Sequence, residues 1–294
     1  MARILGIGTA TLDVINTVDG YPPEDAEVRA LARRIVRGGN ATNTLVVLSQ
    51  LGHHCAWAGT LPDGPDAEPV LADLRRFAVD TGPCRRTQGA LPVSYVTLNA
   101  RNGSRTIVHY RNLPEFGADQ FRLIDVDGYD WVHFEGRNVP ETGIMLQALA
   151  ARAPRPAVSL EVEKPRAGIE ALFGHADLVL FSRQYARARG FATPGDFLAA
   201  MAESTSKSDL VCTWGEEGAA VLSAEGRLFN GAAYPPPRLV DTLGAGDTFN
   251  AGVIDARLRG SAWDETLEAA GRLAGRKCGQ SGFDDLAPRN EPVC

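Results

Sequence analysis

The chain has 294 residues, 44% apolar and 22% charged, enough for one large core or two smaller ones, which excludes a disulfide-stapled miniprotein and a disordered tail. Thirty basic against 36 acidic residues give a net charge of −6, and the basic set is 27 Arg and 3 Lys scattered without a run, which argues against a nucleic-acid groove. No window of about 18 apolar residues spans a bilayer, and residues 1–8 are too short and Gly-broken for a secretory leader, so the expectation is a soluble cytoplasmic chain without membrane partners.

In chain order, short apolar runs at residues 4–8, 56–59, 131–135, 157–162, 178–181 and 210–213 alternate with amphipathic stretches at 41–51, 68–77, 143–151, 194–202 and 266–275. Strand and crossover helix in that rhythm predict an α/β core on a mainly parallel sheet. Two pairs of segments break it. Residues 12–18 and 27–36 flank the turn signal Asp19-Gly20-Tyr21-Pro22-Pro23, and 93–98 and 106–110 flank Asn102-Gly103, with no helix between the members of either pair. They predict a small β lid, residues 14–39 and 93–112, on a core of residues 1–13, 40–92 and 113–294. The five cysteines, Cys55, Cys84, Cys212, Cys278 and Cys294, are odd in number and far apart, so buried reduced thiols are expected.

The most informative segment is Asp241-Thr242-Leu243-Gly244-Ala245-Gly246-Asp247-Thr248, a Gly-rich turn leading to a helical stretch at 251–258. Unpaired N–H groups at a helix N-terminus attract anions, phosphate above all. An aspartate at such a mouth repels its guest unless it handles a proton, so Asp247 reads as a general base in phosphoryl transfer, with helix capping as the alternative. No G-x-x-x-x-G-K-[ST] exists, and Gly6-Ile7-Gly8-Thr9-Ala10-Thr11 lacks the third glycine and opening helix of a dinucleotide fingerprint.

A second constellation is Arg37-Gly38-Gly39-Asn40-Ala41-Thr42-Asn43, in which Asn40 and Asn43 share a helix face and Gly39 lets a ligand approach the backbone. Amides of this kind serve hydroxyl groups in both directions; a Gly turn with an Asn cap is the alternative. Asp13, beyond the first strand, sits where open α/β sheets bind ligands. Weaker candidates are Arg105 for phosphate oxygens, Glu161 and Glu163 for a metal through water, and Trp214-Gly215-Glu216-Glu217-Gly218-Ala219 as a turn beside a nucleotide or an ordinary hairpin. The histidines show no metal-ligand spacing.

The two signatures, Gly38-Gly39-Asn40-Ala41-Thr42-Asn43 and Asp241-Thr242-Leu243-Gly244-Ala245-Gly246-Asp247, resemble those of the ribokinase-like (PfkB) carbohydrate kinases, and the resemblance runs from residue 4 to about residue 285. Glu161-Val162-Glu163-Lys164-Pro165-Arg166, Pro235-Pro236-Pro237-Arg238 and Arg276-Lys277-Cys278-Gly279 lean toward the branch that phosphorylates the 1-hydroxyl of fructose. The resemblance implies a three-layer core with a β-sheet lid, an ATP-dependent sugar kinase, Asp247 as base, and an anion hole from the amides of Gly244, Ala245 and Gly246. It further implies sugar binding by Asp13, Gly39, Asn40 and Asn43, with Arg105 reaching the phosphates or the sugar. Gly215, Glu216, Glu217, Gly218 and Cys278 would border the nucleotide, Mg2+ would arrive with ATP, and K+ would lie near Asp241 and Thr242. Two lids would clasp in a homodimer, with Asp25 near the partner's site. The family's usual N-x-x-E is replaced by Ser182-Arg183-Gln184-Tyr185, which leaves the metal-ordering residue unassigned. The rival expectations are a kinase of the same fold for another acceptor (ribose, another ketose, a nucleoside or a sugar phosphate) and a catalytically silent sugar- or nucleotide-binding protein.

Overall fold

The computed structural model describes residues 1–203, 205 and 208–287; Cys294 lies outside them. Fourteen strands and eight α-helices follow one another among these residues. The strands are β1 (Arg3–Ile7), β2 (Thr11–Val18), β3 (Ala32–Gly38), β4 (His54–Ala58), β5 (Thr60–Pro62), β6 (Arg85–Thr87), β7 (Val93–Asn99), β8 (Arg105–Tyr110), β9 (Trp131–Glu135), β10 (Ala157–Val162), β11 (Leu178–Phe181), β12 (Asp209–Thr213), β13 (Ala219–Leu222) and β14 (Leu228–Gly231). The helices are α1 (Asn40–Gln50), α2 (Glu68–Arg76), α3 (Ala118–Phe121), α4 (Val139–Ala150), α5 (Arg183–Ala188), α6 (Pro194–Ala202), α7 (Ala245–Leu258) and α8 (Trp263–Cys278).

Eight strands form the central sheet in the order β14-β13-β12-β11-β10-β9-β1-β4, parallel from β4 to β12 and closed by the antiparallel β13 and β14. Apolar residues alternate between its faces, as period-two geometry requires. Leu5, Val132, Leu160 and Phe181 point into a core with Leu146 of α4 and Phe197 of α6, while Ile4, Trp131 and Leu180 point into one with Leu45 of α1, Ile254 of α7 and Leu267 of α8. Helices therefore cover both faces, giving a three-layer α/β arrangement with a smaller second sheet, as expected from the sequence. That sheet has the order β3-β2-β7-β8, with β2 and β7 parallel at its centre.

Several elements differ from the sequence-based expectations. The strand expected at 27–36 begins only at Ala32, because residues 27–30 have no ladder partner and only the N–H of Leu31 reaches the Thr17 carbonyl. Strand β4 starts at His54, two residues before the apolar run at 56–59, and ends at Ala58. Helix α7 begins at Ala245 rather than at 251, so the Gly-rich turn is already its first turn. Cys55 and Cys212 are buried, whereas Cys84 and Cys278 are partly exposed. Among the described residues no helix is long and apolar enough to cross a membrane.

Candidate active site

A cavity of about 620 Å³ opens over the C-terminal ends of the parallel strands, where α/β sheets place ligands. Asp13, Gly39, Asn40, Asn43, Arg105, Glu161, Glu163, Asp241, Thr242, Gly244, Gly246 and Asp247 line it. They come from β2, α1, β8, the end of β10, and the loop and first turn of α7, segments more than 200 residues apart in the chain.

Two glycines make the sugar-side wall possible. A Cβ on Gly38 would stand 2.3 Å from Asp13 Oδ2, and one on Gly39 would stand 2.1 Å from the Thr9 carbonyl. Gly39 also holds φ at +111°, which side-chain-bearing residues rarely adopt. The chain thereby turns sharply from β3 into α1, whose residues 41–48 are all buried. The Asn40 amide donates to Glu161 Oε1 at 3.1 Å, and the Asn43 amide donates to Asp247 Oδ2 at 2.7 Å. Two side chains one helical turn apart thus each hold one carboxylate.

The anion wall is the start of α7. Gly244 sits at the N-cap with φ +80° and no side-chain cap, so Asp247 does not cap the helix. The Ala245 N–H turns back on the Thr242 carbonyl at 3.2 Å, whereas no hydrogen bond among the described residues engages the N–H of Gly244, Gly246 or Asp247. A Cβ on Gly246 would meet nothing within 4 Å. Open space in front of unsatisfied N–H groups is what an anion requires.

Burial dominates the electrostatics. Asp247 is pushed up to about 7, chiefly by desolvation and then by the charges of Glu163 and Glu135, with the Asn43 hydrogen bond and Arg37 opposing. Glu161 is raised well above the usual carboxylate range by burial and by Asp247, Glu135 and Glu163, and its Oε2 is buried without a partner. Such an atom fits a carboxyl that keeps its proton. Lys277, fully buried, donates to the Asp241 carbonyl at 3.1 Å, and burial lowers its proton affinity.

The residues expected near the cations have partners within the protein. Glu161 is engaged by Asn40, Glu163 pairs with Lys164 at 3.1 Å, and no three His, Cys, Asp or Glu side chains among the described residues converge on one point. Asp241 accepts from Leu243 N at 2.9 Å, from Arg34 at 3.0 Å and from Lys277, and the Thr242 carbonyl accepts from Ala245. Gly215, Glu216, Glu217 and Gly218 form the turn between β12 and β13, outside the cavity, and the first three are exposed. Cys278 also stays outside, but its carbonyl accepts from Val240 N and Asp241 N, tethering the loop before α7.

Sequence reasoning gave no role to Arg37, Asp73 or Phe283. Arg37 is buried and joins Asp73, Thr42 and Asn43; its place just before Gly38-Gly39 was the available signal. Phe283 lies between the Arg37 and Lys277 cations and packs against Gly244. The Gly6-x-Gly8 pair proves to be a packing device. A Cβ on Gly6 would strike Leu45 and one on Gly8 would strike Glu135, and the chain continues into β2 and not into a helix.

The chain is 43% identical to ketohexokinase of Mus musculus over 293 residues, covering 97% of this chain and 98% of that protein. It is 28% identical to a fructokinase of Rhizobium leguminosarum bv. trifolii over 277 residues, covering 85% and 78%. The structure of Arabidopsis thaliana ribokinase complexed with ribose and ATP superposes with a TM-score of 0.81 at 19% identity, covering 98% of this chain and 96% of that one. The model of the pfkB family carbohydrate kinases matches residues 1–290. The chain belongs to the PfkB family of carbohydrate kinases.

Proposed function

We propose that the protein is an ATP-dependent ketohexose kinase that phosphorylates the 1-hydroxyl of fructose, giving fructose 1-phosphate and ADP. The observation that carries this is the buried Asp247, facing one cavity with the open N–H groups of Gly244 and Gly246, in a chain 43% identical to mouse ketohexokinase.

In this reading Asp13, Gly39, Asn40 and Asn43 hold the sugar hydroxyls. The 1-hydroxyl attacks the γ-phosphorus in line, its proton passes to the Asp247 carboxylate, and the bond to the bridging oxygen of ADP breaks. The N–H groups of Gly244 and Gly246 meet the charge on the transferred group. Arg34, Arg37, Arg76 and Lys277 are already engaged by acidic partners or carbonyls, which leaves Arg105 of β8 as the uncommitted cavity cation among the described residues and the one free to reach phosphate. Magnesium bound to ATP would shield its phosphates from the acidic surroundings, and Glu161 and Glu163, which line the cavity, would face it through water. No step passes through potassium at Asp241 and Thr242.

The β2-β3-β7-β8 sheet, residues 14–39 and 93–112, acts as a lid over the acceptor and as a homodimer interface. The strand register sets Ile35, Tyr95 and Val108 in one row, and they stay 48%, 52% and 65% exposed. An apolar row of this kind fits a second copy of the same sheet. Val108→Glu is expected to convert a dimer into a monomer in light scattering behind gel filtration; a dimer unchanged by this variant counts against the interface. The compartment is read as cytoplasmic.

The function is tested by an acceptor panel with ATP and magnesium, following ADP release and the position of the phosphate. Fructose is expected to give the highest kcat/KM. Preference for ribose, another ketose, a nucleoside or a sugar phosphate would move the assignment within the family. Calorimetric binding of sugar and ATP with no phosphorylated product would make the protein a silent binder.

A further inference from the structure

A file of hydrogen bonds runs inward from the side of α2 to the base. Arg37 Nε donates to Asp73 Oδ2 at 2.7 Å, Arg37 Nη1 donates to Thr42 Oγ1 at 2.8 Å and to Asn43 Oδ1 at 2.7 Å, and Asn43 Nδ2 donates to Asp247 Oδ2 at 2.7 Å. The Arg37 side chain is 1% exposed, so this guanidinium is held away from water for an interior purpose.

The chemistry of an amide gives the file its direction. The two ends of an Asn side chain have nearly the same shape but opposite hydrogen-bonding character. A guanidinium has only donors, so whatever end of Asn43 it touches must be the oxygen. The nitrogen end is then committed to Asp247. Without Arg37 only the Asp247 carboxylate, itself an acceptor, orients the amide, and a flipped Asn43 becomes available that accepts from a protonated Asp247 and so favours the wrong protonation state of the base. We propose that Arg37 is a positioning residue that fixes the Asn43 amide and so keeps Asp247 in its proton-accepting form. The proposal rests on the reading of Asp247 as the base.

Groups facing Asp247 from the other elements are Glu135 at the end of β9, Glu161 and Glu163 at the end of β10, and Lys277 on α8. These stay in place when Arg37 is replaced, while the N–H that favours the ionised carboxyl is lost together with the Arg37 charge. The acid limb of the activity profile therefore moves to higher pH.

The test is a double-mutant cycle on the full chain, with Arg37→Met, Asn43→Ala and both together, measured for kcat, for KM toward fructose, and across pH. Losing a hydrogen bond to a charged group costs about 10- to 100-fold in kcat, and Arg37→Met is expected in that range with its acid limb raised. If Arg37 acts through Asn43, the double variant is no slower than Asn43→Ala alone. A double variant slowed by the product of the single effects, or an Arg37→Met enzyme with unchanged kcat and pH profile, overturns the proposal. Should Arg37→Met fail to fold, the cycle is run with Arg37→Lys, which keeps the buried charge but cannot serve Asp73 and Asn43 as a fork. Asp247→Asn assayed alongside separates the two readings. If it stays active the base assignment falls, whereas if it is inactive and the cycle is multiplicative only the Arg37 proposal falls.

Discussion

Replacing Asp247 by asparagine is expected to lower kcat by about 10²- to 10⁴-fold, the usual contribution of a positioned general base, while sugar binding by calorimetry stays near wild type. Asparagine has the same shape and still offers Asn43 an acceptor oxygen, so the hydrogen bond at 2.7 Å survives and only the proton acceptor is lost. The wild-type enzyme should in turn show kcat/KM rising with pH up to about 7 and then levelling, because burial holds the Asp247 carboxyl there and the base acts only when ionised. Stability should respond in the opposite sense. An Asp247 that keeps its proton up to about 7 when folded but only to the ordinary aspartate range when unfolded favours the folded state in acid, and that preference disappears as pH rises through the window between. Thermal melts should therefore find Asp247→Asn more stable than wild type at pH 8, with the difference shrinking toward pH 4. A variant that turns over normally, or one that is less stable at pH 8, is incompatible with a buried base.

The second large effect separates two glycines of one loop. Gly246→Ala meets open space, so melting should change little, yet it adds a methyl to the cavity wall assigned to the phosphoryl group. A loss of about 100-fold or more in kcat is expected, the scale seen when a transition-state donor is removed. Gly244→Ala faces the reverse situation. Its φ is +80° and its Cβ would lie 2.3 Å from Phe283 Cζ, so roughly 1–3 kcal/mol of backbone strain is added to a clash and the fold should lose stability. Denaturant titration and ADP release on both variants check the contrast. If Gly246→Ala keeps full activity, the loop is not the anion hole.

Much of this arrangement was legible in the chain because it depends on local patterns. The strands Trp131–Glu135, Ala157–Val162 and Leu178–Phe181 were read with the bounds observed, since each is a short apolar run between polar residues. Strands β5 and β6 were not, because three residues carry no periodicity and their pairing needs a partner over 20 residues away. The early start of α7 was hidden by its glycines, which read as loop; inside the helix, Gly252 allows close packing against α8, where a Cβ would stand 2.7 Å from Ala270 Cα. Asp247, Asn40 and Asn43 were found because motif spacing marks them. Arg37 escaped notice as a contributor because its meaning lies in Asp73, 36 positions on, and in the amide it orients, neither of which spacing reveals.

The origin of the cavity walls has a consequence for engineering. Asp13, Gly39, Asn40 and Asn43 all precede residue 50, whereas the loop before α7, Asp247 and Lys277 all follow residue 240. In the proposed mechanism the first group selects the acceptor and the second moves the phosphoryl group, with the Asn43–Asp247 hydrogen bond as the joint between them. Acceptor preference is thus separable from the transfer machinery. Exchanging segments of β2 and β7 with those of a relative, while leaving Arg37, Arg105 and residues 240–287 untouched, offers a route to kinases for other alcohols that keep their turnover chemistry.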